Sequence, residues 1–181
     1  MTVLPALPPL ANHLGFLALT AYAATLWPTI IRVVFPAAKT QKFPKFLRKR
    51  RRAIGIISFI LALGHIYFVI RKRNFDFFDF KTYLISFEGT ATFIILTLLT
   101  ITSNNWSIKH LKQNWKRLHT LTYWAMFLLV WHILSKMQGQ WTAITPLGKL
   151  VIITTAVFFG VRKWNEFCWS QARSKAHSKG V

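Results

Sequence analysis

Two histidines lie deep inside long apolar stretches of this chain, His65 within residues 54–70 and His132 within residues 118–134. An ionisable side chain inside a membrane segment is costly and usually functional, and imidazole is a common ligand of haem iron. His65 lies twelve residues into its apolar block and His132 fourteen residues into its own, or roughly 18 and 21 Å along a helix. Because these depths are similar, we predict that His65 and His132 are the axial ligands of one haem iron.

A third histidine, His119, begins the apolar block that also contains His132, thirteen residues before it. This separation of roughly 20 Å could serve a second haem, but thirteen residues turn an ideal helix by about 220°, so both rings would not share one face. At the matching depth on the helix of His65 the chain has Arg51 and Arg52. His119 is therefore a candidate iron ligand, and the number of haems stays open at one or two.

Haem propionates need cationic partners near the ligands. Arg71, Lys72 and Arg73 follow directly after the apolar block that contains His65. We expect Arg71 and Arg73 to bind the propionates at that end of the helix.

The apolar residues fall into blocks separated by basic and polar segments, a pattern typical of a polytopic membrane protein. We predict an all-α membrane helix bundle of about five transmembrane helices, with the haem site between the second and the fourth. The predicted division is an N-terminal tail at 1–9, a membrane domain at 10–162 and a basic tail at 163–181. The apolar blocks are residues 10–35, 53–70, 83–101, 118–134 and 147–161.

The chain carries 24 Lys and Arg against four Asp and Glu, a net charge of +20. Because the basic residues are concentrated between the apolar blocks, membrane lipids with anionic headgroups are the expected partners and nucleic acid is not. Most of the basic residues lie in the loops on the side of the C-terminus, so we predict the N-terminus outside and the C-terminus inside. Cys168 is the only cysteine, which excludes an internal disulfide, a cysteine zinc site and covalently attached haem.

Two polar segments and one acid complete the pattern. In the basic segment 39–52, Pro44 is expected to prevent a continuous helix, whereas in 102–117 the spacing of Ile108, Leu111 and Trp115 predicts an amphipathic surface helix. Glu88 is the only acid inside an apolar block. Either it reaches headgroups or a nearby cation, or it takes part in proton or quinone handling.

The runs RRRAIGIISFILALGHIYFVI (50–70) and TSNNWSIKHLKQNWKRLHTLTYWAMFLLVWHIL (102–134) resemble the ferric reductase-like transmembrane domain. The likeness covers about residues 48–135. It is nearest to the short branch without a flavin domain, the haem-binding membrane subunits of bacterial protein-methionine-sulfoxide reductase systems. That branch usually has six apolar blocks where this chain has five, and Glu88 is not expected in it. The resemblance implies an integral b-type cytochrome, with His65, His119 and His132 as the matching histidines.

The resemblance also implies a place in an electron-transfer chain. The donor would be a cytoplasmic flavin reductase or the quinone pool, the acceptor a periplasmic methionine-sulfoxide reductase, and the location the bacterial plasma membrane. Besides haem b, FMN or a quinone is a possible cofactor. Two alternatives stay open: a stand-alone ferric or oxygen reductase, and a cofactor-free structural or assembly subunit of a membrane complex. An electron-transfer subunit is favoured over a catalyst acting alone.

Overall fold

The regular structure of the chain is helical throughout the part that the computed structural model describes, residues 9–72, 80–136 and 144–178. A short 3₁₀ turn, Pro36–Thr40, connects the first two helices. This confirms the predicted all-α fold. The helices are α1 (Pro9–Val34), α2 (Lys42–Lys72), α3 (Phe80–Ile101), α4 (Asn105–His119), α5 (Leu121–Lys136) and α6 (Thr145–Ser178).

Three of these helices, α1, α2 and α6, and the combined segment of α4 and α5 are long and apolar enough to cross a membrane. Four candidate spans meet both criteria among the described residues, and α3 adds a shorter apolar helix, Phe87–Ile101. Large apolar side chains such as Leu63, Ile94, Phe127 and Leu150 are exposed on the outside of the bundle, where lipid rather than water suits them. The chain is therefore an integral membrane protein, and the predicted polytopic bundle is confirmed. The four spans are Leu10–Val34, Lys42–Arg71, Asn105–Ser135 and Thr145–Ala172.

The helices pack in a closed ring. α1 lies along α2 and α6, α6 also contacts α5, α5 packs against α3, and α3 contacts α2 more lightly. Within the described ranges, α2 and α5 do not pack extensively against each other. The two helices that carry His65 and His132 are thus separated by α3 on one side and by α1 and α6 on the other.

The apolar core lies between α1, α5 and α6. Leu26 and Ile30 of α1 are fully buried against Met126 of α5 and Ile152 of α6. The hydroxyl of Tyr22 in α1 donates to the backbone carbonyl oxygen of Thr122 in α5. α1 is consequently held on several sides, and side chains on it can serve as fixed contacts for α2.

The basic segment before the second span is helical, contrary to the expectation from Pro44. α2 begins at Lys42 and continues without a break to Lys72. Pro44 lies in the first turn, where a helix needs no N–H donor from it and the fixed φ of proline is compatible with helix. The helix therefore carries its basic residues 45–52 in line with the apolar span.

The polar segment 102–117 forms a helix, as predicted, and its place at the membrane surface stays a prediction. The side chain of Asn104 accepts from the backbone N–H of Ser107 at 2.6 Å and so caps α4. Ile108 and Leu111 are exposed on it, and a positive φ of 45° at Lys112 breaks its regularity. At the other end of the chain, α6 continues through residue 162 as one helix to Ser178.

Candidate cofactor site

The His65 ring is held by the backbone of α1. Its Nδ1 lies 2.8 Å from the carbonyl oxygen of Ala11, which is fully buried. Because a carbonyl oxygen only accepts, Nδ1 must carry a proton, and in the neutral ring Nε2 then carries the lone pair. This is the neutral tautomer and the oriented ring that a metal-ligating histidine requires.

A glycine allows this close approach. A Cβ atom at Gly15 would lie 3.0 Å from Nδ1 and 3.1 Å from Cε1 of His65, closer than ordinary van der Waals contact. Any side chain at position 15 would therefore displace the ring. Gly15 and the Ala11 carbonyl together define where the imidazole lies against α1.

His132 has an equivalent arrangement on the opposite part of the ring of helices. Its imidazole lies against Gly89 of α3, where an added Cβ would be 3.2 Å from Cε1. Each of the two predicted axial ligands thus packs on a glycine of the neighbouring helix. Neither contact could be read from the sequence, because it depends on how the helices are rotated against each other.

Glu88 is buried beside His132. The residue is only 4% exposed, which rules out the expectation that it reaches the headgroups. Its Oε1 accepts a hydrogen bond from Ser135 Oγ at 3.1 Å, and its Oε2 lies 3.9 Å from His132 Nδ1. The carboxyl group therefore faces α5 at the predicted ligand. In the sequence, one feature points to a shared partner of His132 and Ser135. The two residues are three positions apart and therefore lie on one helix face.

His119 lies outside α5, the helix that carries His132, although the sequence predicts both in one apolar block. It is the last residue of α4, and Thr120 separates it from α5. Its ring lies on Trp115 with the centroids 4.1 Å apart, and its Nε2 is 3.5 Å from Thr102 Oγ1. Thr120 has φ −69° and ψ −19°, in the right-handed helical region, and the residue with non-helical φ and ψ lies earlier, at Lys112.

Two arginines from different helices, Arg51 of α2 and Arg162 of α6, interact with Tyr123 of α5. Arg162 of α6 is nearly buried, donates to the Tyr123 hydroxyl at 3.3 Å and is paired with Glu166 at 2.8 Å. Arg51 of α2 interacts electrostatically with Arg162, Tyr123 and His119. Both arginines border an apolar block, so their position at a helix end was visible in the sequence, but their convergence was not.

Of the two predicted propionate ligands, Arg71 lies among the residues that the structure describes. Arg71 is exposed, donates to the Tyr67 hydroxyl at 3.0 Å and has its guanidinium carbon 5.8 Å from the centre of the Tyr67 ring. Arg73 lies outside the described residues. A propionate contact at this end stays a prediction.

The donor set fits a cofactor that brings its own equatorial ligands. In the described part of the chain, no cluster of three or more His, Cys, Asp or Glu side chains could hold a bare metal ion. A haem needs only axial ligands from the protein. The hydrogen bond of His65 Nδ1 to a carbonyl fits this requirement, whereas ligation by His132 stays a prediction.

Comparison with known proteins gives a consistent picture. The protein-methionine-sulfoxide reductase heme-binding subunit MsrQ of Agrobacterium fabrum is 31% identical over 133 residues, 69% of this chain and 59% of the relative. The subunit of the same name from Brucella anthropi is 33% identical over 120 residues, 64% of this chain and 51% of the relative. The chain thus spans between half and three-fifths of the length of these relatives. No solved structure gives a significant match.

One family matches most of the chain. The description of that family is ferric reductase like transmembrane component, and the match runs over residues 14–130. It includes Gly15, His65, Gly89 and His119 and ends two residues before His132. Since more than half of the chain is matched, from α1 into α5, this protein belongs to the ferric reductase like transmembrane component family.

Proposed function

We propose that the chain is a b-type cytochrome subunit that relays electrons across the membrane, with a haem held by His65 of α2 and His132 of α5. The observation that carries the proposal is the hydrogen bond from His65 Nδ1 to the buried Ala11 carbonyl over Gly15. It leaves the coordinating lone pair on Nε2 and fixes the ring. When bound through two imidazoles, a haem supplies one-electron chemistry with no open position for oxygen.

The electron donor is proposed to be a flavin reductase or a quinol and the acceptor an outside protein such as a methionine-sulfoxide reductase. The printed names of the relatives, heme-binding subunits of protein-methionine-sulfoxide reductase, support this assignment. The distribution of Lys and Arg supports the N-terminus outside and the C-terminus inside, in a bacterial plasma membrane. His119 is the candidate ligand of a second haem, with Arg51 as a cation near it.

The haem content of the purified protein tests the proposal. We expect a b-type absorbance spectrum and at least one haem per chain, measured as the pyridine complex. His65→Ala and His132→Ala should be purified with little of that haem, because one histidine ligand holds it less tightly than two. His110→Ala is the matched control, because His110 is exposed on α4 and its Nδ1 bonds Trp106 of the same helix. A colourless wild-type protein, or full haem in both His65→Ala and His132→Ala, would contradict the proposal.

The direction of electron flow needs a separate experiment. The protein is reconstituted into sealed vesicles, reduced by a flavin reductase from one side, and tested for reduction of an acceptor confined to the other side. Transfer that depends on His65 and His132 supports the relay. Rapid reduction of ferric iron or oxygen without any protein acceptor would instead favour a stand-alone reductase.

A further inference from the structure

The two predicted ligands have unequal hydrogen-bond surroundings. His65 donates from Nδ1 to a neutral backbone carbonyl, that of Ala11. His132 has the carboxyl group of Glu88 near its own Nδ1. We propose that Glu88 is a positioning residue for His132, whose carboxylate accepts the Nδ1–H of that ring and makes it the stronger iron ligand of the two. The inference rests on the proposed haem-binding function.

The carboxyl group is held where this bond can form. Its Oε1 is anchored by the Ser135 hydroxyl, and Ser135 lies one turn beyond His132 on the same helix. Its Oε2 is buried and has no hydrogen-bond partner among the described residues. In the same part of the chain, no Lys or Arg forms an ion pair with Glu88. The neighbouring Gly89 lets the ring come this close to α3.

When His132 binds iron, its ring becomes a hydrogen-bond donor that matches the Glu88 carboxylate as an acceptor. When imidazole binds a metal through Nε2, its proton must be on Nδ1, so that nitrogen becomes a donor pointing away from the metal. A buried carboxylate oxygen without a donor costs free energy, and the bond removes that cost. The present separation of 3.9 Å has to shorten by about 1 Å to reach a charge-assisted hydrogen bond.

The consequence lies in the electronics of the iron. A carboxylate that accepts from a ligating histidine raises the basicity of that ligand, whereas a peptide carbonyl does so less. A more basic ligand stabilises ferric over ferrous haem. Glu88 should therefore lower the midpoint potential of the haem and strengthen the ligand field that His132 exerts on the iron.

Three variants separate this role from simple electrostatics. Glu88→Gln removes the carboxylate and keeps the shape, whereas Glu88→Asp keeps the charge but shortens the reach. Glu166→Gln makes the same change of charge on α6, where Glu166 pairs with Arg162 and Lys163. For each, the haem content, the midpoint potential and the g values of the low-spin ferric haem are measured by pyridine assay, redox titration and electron paramagnetic resonance.

We expect Glu88→Gln to raise the ferrous-to-ferric ratio at a fixed potential about tenfold, or about 59 mV for one electron. Its g values should spread more widely, because a weaker ligand field acts on the iron. Glu88→Asp should show the same change in g values with a smaller shift of the potential, and Glu166→Gln should change neither. A general loss of negative charge would move the potential but not the g values.

The failure of this inference differs from the failure of the proposed function. Glu88→Gln and Glu88→Asp proteins that carry full haem with wild-type g values and potential would overturn the role of Glu88 and leave the haem site standing. A wild-type protein without haem would overturn the proposed function itself. If Glu88→Gln does not assemble, the g values of Glu88→Asp alone decide.

Discussion

Replacing Gly15 by alanine tests the contact that fixes His65. The added Cβ would lie 3.0 Å from Nδ1 of the ring, and ordinary contacts begin at 3.4 Å, so the ring must move by about 0.4 Å. The ring is not free to yield, because the same Nδ1 is bonded to the Ala11 carbonyl at 2.8 Å. Gly15→Ala should therefore either stretch that hydrogen bond or push α1 away from α2.

The expected change in the free energy of unfolding of Gly15→Ala follows from two opposing effects. Overpacking of this kind costs about 1–3 kcal/mol, whereas alanine in place of glycine inside a helix gains about 0.8–1.0 kcal/mol. In the wild-type background, the net change in the free energy of unfolding should lie between about zero and 2 kcal/mol of destabilisation. In a His65→Ala background the clash is gone and only the gain remains. The coupling between the two substitutions should thus be about 1–3 kcal/mol.

The assay is unfolding of the purified apoprotein in mixed micelles by titration with sodium dodecyl sulfate, followed by tryptophan fluorescence. The four proteins of the cycle are wild type, Gly15→Ala, His65→Ala and the double variant. Gly160→Ala is the matched control, since a Cβ at this α6 glycine meets nothing within 4 Å. If Gly15→Ala behaves like Gly160→Ala in both backgrounds, the His65 ring does not lie on Gly15 and the proposed tautomer loses its basis.

Three further substitutions probe neighbouring contacts in the same titration. Gly89→Ala places its Cβ 3.2 Å from His132. Its coupling energy with His132→Ala should therefore be smaller than that of Gly15→Ala with His65→Ala. An equal or larger coupling energy would count against the packing of α3 on His132. Ser58→Ala removes a buried hydrogen bond of 2.8 Å from α2 to the Ala18 carbonyl of α1. The free energy of unfolding should fall by about 0.6–1.7 kcal/mol. An unchanged free energy of unfolding would mean that this bond does not connect α1 and α2. Tyr22→Phe leaves the buried Thr122 carbonyl without its donor and should cost about 1–3 kcal/mol, whereas a neutral result would contradict the contact of α1 with α5.

The course of the helices was largely predictable from the sequence. The apolar blocks 10–35, 53–70, 83–101, 118–134 and 147–161 correspond to α1, α2, α3, α5 and α6, because the length and composition of a segment decide whether it suits a bilayer. The start of α2 was misjudged, since Pro44 falls in a first turn, where proline is tolerated. The assignment of His119 to α4 depends on the local hydrogen bonding at Thr120, which apolar periodicity does not report.

The chemistry of the site was predictable only in part. His65 and His132 stood out because each is an ionisable group in an apolar block, and that signal is local. The contacts of His65 with Gly15 and of His132 with Glu88 depend on the rotation of one helix against another, which neither helix encodes alone. The same holds for the electrostatic effect of Arg51 on His119.

The central claim is that one iron is ligated by His65 and His132 together. The most direct measurement is the low-temperature electron paramagnetic resonance spectrum of oxidised His132→Gly protein, reconstituted with haem, without and with added imidazole. We expect a high-spin ferric signal that returns to the low-spin signal of the wild type when imidazole fills the place of the missing ring. A His132→Gly protein that shows the wild-type low-spin signal without imidazole would contradict the claim.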